Sequence, residues 1–261
     1  MKFEELDSKM RVFETYTDLS IPEGNLMIAR LDGRSFSRLT KETYEFEAPF
    51  DTEFRDMMIE TTRHLMDCGF RVHYAYTESD EISLLFHMDD ESFGRKMRKY
   101  ISILAGEASA VFSLRLKYAV CFDCRLSVLP NEKLVVDYFR WRNEDANRNA
   151  LNAYCYWTMR KEGATAAEAT AYFSGKSIAE KNEYLFQMGI NYNDVASWQK
   201  RGVGLYWKNV EKPGINPKTQ ETVMSVRKEL CVDYELPKKE EYEAYIWQRL
   251  REMDVKDRPV N

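Results

Sequence analysis

The sequence has 261 residues, of which 44% are hydrophobic and 13% aromatic, and its formal net charge is −5. A chain of this length and composition can bury the core of one large domain, which excludes global disorder. The negative charge excludes a uniformly basic nucleic-acid-binding protein, so nucleic-acid contacts must come from local basic patches. We see no secretory pattern and no run of the ~18–20 apolar residues that a membrane span needs. We therefore expect a soluble, cytoplasmic protein.

The first part of the chain predicts a strand, a helix and a hairpin. Asn25 to Leu31 is an apolar run that ends abruptly at Asp32-Gly33, which indicates a strand followed by a turn. Between Pro49 and Cys68, apolar residues recur at helical spacing. Arg71 to Phe86 contains two β-prone runs around a polar tetrad, and this pattern predicts a β-hairpin with Asp80-Glu81 at its tip.

A long helix and another strand follow the hairpin. Phe93 to Lys117 suits a helix. Tyr118 to Leu129 alternates apolar and polar residues, which indicates a strand with one buried face and one face near polar chemistry. Asp123 and Arg125 lie on the polar face, where they could form an ion pair or support a functional site.

The five cysteines are predicted to be reduced core thiols. Cys121 and Cys124 form a CxxC pair, but no second pair or nearby histidine completes a zinc site. The pair also lies inside an apolar, strand-like run, so a structural role is favoured over metal binding or redox chemistry.

Beyond residue 136 the pattern is mainly helical. Helices are predicted over Asp137 to Arg160, Ser177 to Gln187 and Glu240 to Leu250, and two strands near 203–208 and 222–226 are joined by a Pro/Gly loop. We therefore predict an α+β fold. Residues 1–136 would form an antiparallel sheet with helices on one face, and residues 137–261 would form a helical region with a hairpin that packs on the sheet as one unit.

Three carboxylates, Asp32, Asp80 and Glu81, are the candidate catalytic residues. They lie at a strand end and a hairpin tip, where side chains can converge beside a rigid sheet. Clustered carboxylates repel one another unless a cation joins them, and Mg²⁺ often bridges one or two carboxylates to substrate phosphates. Two such ions can stabilise the attacking and leaving oxygens of an in-line displacement. Ordinary turn chemistry is the alternative, because Asp-Gly and Ser-Asp are common turn residues.

Six short motifs, taken together and in order, resemble the tRNA-His guanylyltransferase family. They are Arg30-Leu31-Asp32-Gly33-Arg34-Ser35-Phe36, Ser79-Asp80-Glu81, Phe122-Asp123-Cys124-Arg125, Asp137-Tyr138-Phe139-Arg140-Trp141-Arg142, Lys181-Asn182-Glu183 and Arg201-Gly202. The likeness runs from about residue 25 to about residue 208. Each motif alone would be weak, but the spaced combination is specific. The resemblance implies a polymerase-palm-like fold and two Mg²⁺ ions. It also implies 3′-to-5′ nucleotide addition to tRNA, with ATP or GTP as substrates.

The resemblance also implies roles for individual residues. Metal ligands would be Asp32, the Gly33 carbonyl and Asp80, while Glu81 matches the second carboxylate of the family pair. The nucleotide-binding residues would be Asp32, Gly33, Arg34, Ser35, Phe36, Ser37, Ser79 and Asp80. The tRNA-binding residues would be Arg95, Lys96, Lys99, Asn149, Asn152, Lys181, Asn182 and Arg201. Family members are often tetramers, so the resemblance also implies a homo-oligomer.

Two predicted helix faces could contact RNA. Arg95 and Lys99 share a face of the helix predicted from Phe93, within a segment of four cations that would bind phosphates. A solvated helix face is the alternative there. On the next helix one face, flanked by Trp141 and Trp157, could hydrogen-bond to unpaired bases or form a polar subunit interface. Its residues are Arg142, Asp145, Asn149 and Asn152.

One departure from the family pattern bears on specificity. Members that read the tRNA-His anticodon resemble one another in a histidine where this chain has Asn147. This difference indicates the tRNA-His guanylyltransferase-like branch, whose members repair 5′-truncated tRNAs. We therefore predict a template-directed 3′-to-5′ nucleotidyltransferase. The alternatives are a strict tRNA-His guanylyltransferase, a palm-type nucleotide cyclase, and an RNA-binding module with a degenerate site, against which the intact carboxylates argue.

Overall fold

The structure is a computed structural model that describes residues 2–44, 46–215 and 222–253. Its helices are α1 (Phe3–Thr15), α2 (Phe36–Arg38), α3 (Thr52–Leu65), α4 (Met97–Leu116), α5 (Glu132–Lys161), α6 (Ala166–Phe173), α7 (Ile178–Gln187), α8 (Ser197–Arg201) and α9 (Lys239–Met253). Its strands are β1 (Leu26–Gly33), β2 (Val72–Glu78), β3 (Glu81–Phe86), β4 (Phe122–Leu129), β5 (Val203–Ile215) and β6 (Thr222–Asp233). None of the helices within these ranges is both long and apolar enough to cross a membrane.

The six strands form one antiparallel sheet in the order β4-β1-β3-β2-β5-β6. The predicted hairpins are confirmed as β2–β3 and β5–β6, although β5 and β6 extend to Ile215 and Asp233, beyond the strands predicted near 203–208 and 222–226. The sequence did not predict that β5 pairs with β2, so that the C-terminal hairpin extends the same sheet. Asp32 lies opposite Glu81 on β3 and opposite Asp123 on β4. Paired residues of neighbouring strands share a face, so acidic side chains gather at this end of the sheet.

Helices cover both faces of the sheet. Met27, Ala29 and Leu31 of β1 pack in a core with α3 and α4, whereas the alternate residues Leu26 and Ile28 pack in a second core with α5 and α9. The prediction of helices on one face therefore fits only the elements before α5, because the C-terminal helices cover the other face. The predicted domain boundary at residue 136 falls inside α5, and the division into two domains stays a prediction.

The helix predicted from Phe93 begins at Met97 instead. Phe93 and Arg95 have φ of 53° and 56°, and Gly94 between them has φ of 61°. Left-handed backbone costs non-glycine residues ~1–2 kcal/mol each and cannot continue a right-handed helix. The expectation that Arg95 and Lys99 share one helix face is therefore wrong, since Arg95 precedes the helix.

Helix α1, which the sequence analysis did not predict, has no buried residues. Asp18, just after this helix, forms a salt bridge with Lys96 at 2.8 Å and another with Arg98. An isolated antiparallel β-bridge between the backbones of Ser20 and Lys96 also holds this segment against the start of α4. These contacts attach the base of α1 to the body of the protein while its apolar side chains remain exposed.

Candidate active site

Strands β1 and β3 bring Asp32 and Asp80 to the same end of the sheet. The Gly33 amide donates a hydrogen bond to the Asp80 carbonyl at 3.0 Å, which fixes the hairpin tip against the end of β1. Burial raises the pKa of Asp80 to about 6, and the neighbouring charge of Asp32 acts in the same direction. The predicted convergence of these two carboxylates is therefore observed.

The tip of the β2–β3 hairpin is a two-residue turn, Ser79-Asp80, between the paired residues Glu78 and Glu81. Ser79 has φ of 48°, a left-handed conformation that short hairpin turns require. Its Oγ donates to Asp80 Oδ1 at 3.1 Å, and Thr77 Oγ1 donates to the Glu81 carbonyl at 2.9 Å. These bonds hold the turn closed, and Asp80 lines a cavity beside it.

Behind the turn, Arg142 of α5 contacts three carboxylates. Its Nη2 lies 3.0 Å from Glu78 Oε1 and 2.5 Å from Glu81 Oε2, and its Nη1 lies 3.2 Å from Asp145 Oδ2. Burial, together with the charge of Glu81, raises the pKa of Glu78 to about 8. Burial likewise raises the pKa of Glu81. The idea that Arg142 reads RNA bases is wrong, because only 3% of its side chain is exposed and its terminal nitrogens are occupied by carboxylates.

The turn that follows β1 is fixed by Phe36. Its ring packs against Phe112 and Phe122, with centroid distances of 5.2 and 5.0 Å. A Cβ on Gly33 would lie 2.5 Å from this ring, so a side chain at Gly33 would push Phe36 out of the core. Arg34, Ser35 and Ser37 are exposed. Phe36, which the sequence analysis grouped with the nucleotide-binding residues, instead has a core side chain with one edge in the cavity.

A cavity of about 490 Å³ opens beside the hairpin tip. This volume lies within the ~300–1,000 Å³ range of small-molecule sites. The lining combines the turn after β1, the hairpin turn, aromatic rings and ionisable groups. It includes Phe36, Ser37, Lys41, Phe50, Asp51, Arg55, Ser79, Asp80, Trp157 and Trp198. No sequence pattern predicted Lys41, Asp51, Arg55 or Trp198 at this site, because they follow no motif and meet only through folding.

A smaller cavity of about 190 Å³ lies between the hairpin tip and α5. Asp80 and Glu81 line it from the hairpin, and Asn149 and Ala150 line it from the helix. Asn149 also donates to Asp145 Oδ2 at 3.3 Å, so the predicted polar face of α5 exists and is directed at the hairpin. The carboxylate end of the sheet thus borders two spaces.

The residues at this end suit magnesium better than zinc. In the part of the chain that the structure describes, no three histidine, cysteine or acidic side chains form a complete metal site. Asp32, Asp80 and the Gly33 carbonyl offer only oxygen ligands, and Mg²⁺ commonly takes one or two carboxylates together with water and phosphate oxygens. The five cysteines are free thiols, and burial raises the pKa of Cys124 to about 12, which disfavours a thiolate ligand.

Arg95 is not available to RNA. Only 5% of its surface is exposed, and its guanidinium donates to four backbone carbonyls. Those carbonyls belong to Ile21, Asn25, Met88 and Asp90. Lys96 is paired with Asp18, whereas Lys99 is partly exposed, with its Nζ 5.7 Å from the centre of the Phe93 ring. The predicted RNA role of Arg95 is therefore withdrawn.

The other residues predicted to bind tRNA are dispersed. Asn152 is exposed on α5, and Lys181 is partly exposed on α7. Asn182 donates to the Ile178 carbonyl at 2.9 Å, and Arg201 donates to Ser197 Oγ at 2.6 Å. Of the residues predicted to bind tRNA, only Asn149 lines either of the two cavities beside the carboxylates. Asp123 and Arg125 form an ion pair of 3.3 Å, as one of the two alternatives predicted.

The antiparallel sheet, with its helices and its acidic end beside a cavity, defines the class of palm-type nucleotidyltransferases. A family model described as tRNAHis guanylyltransferase matches residues 7–130, and one described as the Thg1 C terminal domain matches residues 133–245. The chain therefore belongs to the tRNA-His guanylyltransferase family, as its motifs suggested.

Individual relatives agree with this membership. The chain is 31% identical over 223 residues to a probable tRNA(His) guanylyltransferase of Drosophila melanogaster, covering 82% of this chain and 77% of that protein. It is equally similar to the tRNA(His) guanylyltransferase of Debaryomyces hansenii, with coverages of 79% and 84%. A bacterial tRNA(His) guanylyltransferase-like protein solved in complex with ATP superposes with a TM-score of 0.73 at 28% identity, covering 93% of this chain and 97% of that one. A structure of a bacterial tRNA(His) guanylyltransferase-like protein in complex with GTP superposes with a TM-score of 0.71 at 26% identity, covering 94% of this chain and 99% of that one.

Proposed function

We propose that this chain is a two-metal, template-directed nucleotidyltransferase that adds nucleotides in the 3′-to-5′ direction to the 5′ end of tRNA. The observation that carries the proposal is the meeting of Asp32 and Asp80 at the sheet end that borders the larger cavity. Family membership supports nucleoside triphosphates and tRNA as the substrates, and we propose that the protein acts in the cytoplasm.

The larger cavity is the proposed nucleotide site. Ser37 and Ser79 would donate hydrogen bonds to the triphosphate, and the exposed Arg34 and Ser35 extend this polar edge. The aromatic rings of the cavity wall offer faces on which a base can stack. The relatives solved with ATP and GTP support a site that accepts either purine nucleotide.

Asp32, Asp80 and the Gly33 carbonyl would hold the magnesium ions. When bound, these ions lower the pKa of the attacking hydroxyl and neutralise the departing phosphate. The chain itself would fix the geometry: the hairpin turn holds Asp80, and the Phe36-anchored turn holds the backbone after Asp32. The 3′-hydroxyl of the incoming nucleotide would attack the phosphorus at the activated 5′ end of the tRNA, either a triphosphate or an adenylylated monophosphate, and pyrophosphate or AMP would leave. We propose that this end occupies the smaller cavity beside Asn149.

The choice between repair and strict tRNA-His guanylylation depends on Asn147. The relatives named tRNA(His) guanylyltransferase favour the second activity. Asn147 is exposed on α5, and its carbonyl accepts a hydrogen bond from the Tyr192 hydroxyl at 3.1 Å. An amide side chain at this position lacks the aromatic ring and the possible charge of a histidine. We therefore favour 5′-end repair with selection at the acceptor end.

The test is incubation with labelled ATP or GTP and two tRNAs, one intact and one lacking its first nucleotide. We expect magnesium-dependent extension of the truncated tRNA, with the added nucleotide chosen by the template base opposite it. A cyclic nucleotide formed without RNA would replace the proposal with a cyclase. Extension confined to tRNA-His would restore strict guanylylation. Tight tRNA binding without any turnover would indicate an RNA-binding module.

We also propose that α1 packs against a second copy of the chain. A 13-residue helix is marginal in water on its own, because isolated helices need roughly 12–15 residues. Apart from Val12, the apolar residues of α1 follow the a and d spacing of a heptad. They are Phe3, Leu6, Met10 and Phe13, with exposures of 77%, 47%, 52% and 73%. Parallel pairing would set Lys9 beside Glu14 of the second copy, in the g–e′ arrangement of coiled coils.

Light scattering after size exclusion tests this contact. The double variant Leu6→Glu, Met10→Glu should lower the mass of the assembly. Ser8→Glu, which lies on the opposite side of the helix, should leave that mass unchanged. A wild-type monomer, or equal masses for all three proteins, would contradict the proposed contact.

A further inference from the structure

We propose that Arg142 is a positioning residue for Asp80. Its guanidinium contacts Glu78 on β2 and Glu81 on β3, and so closes the two-residue turn that carries Asp80. We name this group of three side chains the Arg142 clamp. The inference rests on the proposed function, since it assigns Asp80 a role in holding metal and nucleotide.

The clamp gives one shared partner to two carboxyl groups that the strand register places opposite each other. Glu78 and Glu81 face each other directly across the hairpin. Like charges at opposed strand positions are destabilising, and burial strengthens the repulsion. Their side chains are only 11% and 21% exposed, so water screens them poorly. One nitrogen, Arg142 Nη2, reaches both carboxylates and provides the opposite charge.

The turn needs such a closure because it is strained. Ser79 holds a left-handed φ of 48°, which costs a residue with a Cβ ~1–2 kcal/mol. The bonds from Thr77 and Gly33 to this turn involve backbone carbonyls, and neither bond reduces the repulsion between the two glutamates. Without Arg142 behind the turn, Glu78 and Glu81 would lose the one group that binds both of them, and the two strand ends that flank Asp80 would be held less firmly.

Helix α5 is fixed well enough to act as the support of the clamp. One helical turn before Arg142, the Tyr138 hydroxyl lies 3.2 Å from Ser83 Oγ on β3. The Arg142 guanidinium also lies 4.9 Å from the centre of the Trp141 ring, and Asp145 holds its second terminal nitrogen. Because rigid supporting contacts decide how accurately a site is held, α5 transmits its position to the hairpin.

The arginine fork explains why this residue type is needed. Arg142 uses both terminal nitrogens on three carboxylates, which a single ammonium group cannot reproduce with the same planar geometry. Arg142→Lys should therefore restore only part of what Arg142→Met loses. Loss of supporting contacts behind metal ligands typically costs ~10–100-fold in metal affinity or activity.

The first measurement avoids turnover altogether. Hydrogen exchange of the metal-free protein should show faster exchange in the peptide that contains Ser79 and Asp80 when Arg142 is Met. Binding of Mn²⁺ with a nucleotide, followed by electron paramagnetic resonance, should weaken about 10–100-fold. The tRNA affinity should stay at the wild-type value. Glu78→Gln added to Arg142→Met should recover part of the Mn²⁺ affinity, because it removes the buried acidic group that Glu81 faces across the hairpin.

Arg140→Met is the matched control. Arg140 lies on the same helix and pairs with Glu144 and with Glu243 of α9, away from the hairpin. Its loss should leave both hairpin exchange and Mn²⁺ affinity unchanged. Wild-type exchange and Mn²⁺ binding in Arg142→Met would overturn the inference. If Arg142→Met fails to fold, Arg142→Lys provides the test. Wild-type hydrogen exchange in the hairpin and wild-type Mn²⁺ affinity in that variant would also overturn the inference. A wild-type protein that binds Mn²⁺ and nucleotide but never extends tRNA would instead contradict the proposed function alone.

Discussion

Arg95 and Arg142 are buried to a similar extent, yet they have different partners. Arg95 donates to four backbone carbonyls, which are neutral and belong to two loop segments, 21–25 and 88–90. Arg142 contacts three carboxylates beside the candidate active site. Loss of the first arginine leaves unsatisfied polar groups, whereas loss of the second leaves uncompensated charge. The partner, rather than the burial, separates the arginine that holds loops together from the one that contacts the candidate active site.

The same contrast extends to the segments around the two arginines. In the basic segment, Lys96 and Arg98 are both paired with Asp18, which reduces the charge that could meet RNA. Lys99 has no carboxylate partner within the described residues. At the hairpin, by comparison, three carboxylates share one arginine and leave net negative charge. The basic segment is thus partly neutralised by Asp18, whereas the acidic cluster has more carboxyl groups than the one arginine can pair.

The largest expected effect comes from removing the acidic cluster itself. Asp32→Ala and Asp80→Ala should each lower the rate of nucleotide addition by about a thousandfold or more, or ~4 kcal/mol of transition-state stabilisation. Neither change should lower the melting temperature, because each removes a repulsive charge. The control is Asp137→Ala, an exposed aspartate paired with Lys133. Wild-type turnover in either active-site variant at saturating magnesium would refute the assigned site.

The next largest effect separates the two buried arginines. Arg95→Met should lower the free energy of unfolding by at least about 3 kcal/mol, since hydrogen bonds to a charged group each contribute ~1.5–3 kcal/mol. Urea denaturation measures this as a lower midpoint at an unchanged slope. The salt dependence of tRNA binding should not change. A variant of wild-type stability with a flatter salt dependence would return Arg95 to the RNA-binding surface.

Local patterns predicted those elements whose residues lie close together in the sequence. The hairpin over Arg71 to Phe86 and the strand before Asp32 are observed because alternation and turn residues define them locally. The pairing of β5 with β2 was not predicted, because it joins distant segments and leaves no local pattern. The left-handed residues before Met97 were missed for a related reason: their strain is offset by bonds from Arg95 to distant carbonyls.

The candidate site shows the same division. The sequence predicted that Asp32 and Asp80 converge, because strand ends and hairpin tips point to a common place. It did not predict that Arg142 serves the hairpin, since the polar face of α5 fits RNA bases equally well in sequence. Only the register between Glu78 and Glu81 shows which charges this face meets. Helix α1 was missed because a short exposed helix has little apolar burial to define it.

A smaller effect is expected from the basic segment. Lys99→Ala should weaken tRNA binding and reduce the slope of log affinity against log salt by ~0.7–0.9, the value of one phosphate contact. Lys96→Ala should change the slope less, because Lys96 is already paired with Asp18 at 2.8 Å. Filter binding at several salt concentrations measures both. An unchanged slope in Lys99→Ala would make this helix face an ordinary solvated surface.

The smallest effect is expected from changing the anticodon. Asn147 lies on α5 beyond the Arg142 clamp, so one helix carries both the support of the hairpin and the position where anticodon-reading relatives have histidine. If selection occurs at the acceptor end, 5′-truncated tRNAs with matched acceptor stems and different anticodons should be extended with kcat/KM values within about tenfold of one another, or ~1.4 kcal/mol. The comparison requires the same template base in every tRNA, so that Watson–Crick pairing of the added nucleotide is constant. Asparagine can donate and accept hydrogen bonds, but it has no ring that could stack on an anticodon base. If the anticodon is not read, the remaining contacts in that region would be to phosphates, which carry no sequence information. A thousandfold loss on replacing only the tRNA-His anticodon would contradict repair and establish strict guanylylation of tRNA-His.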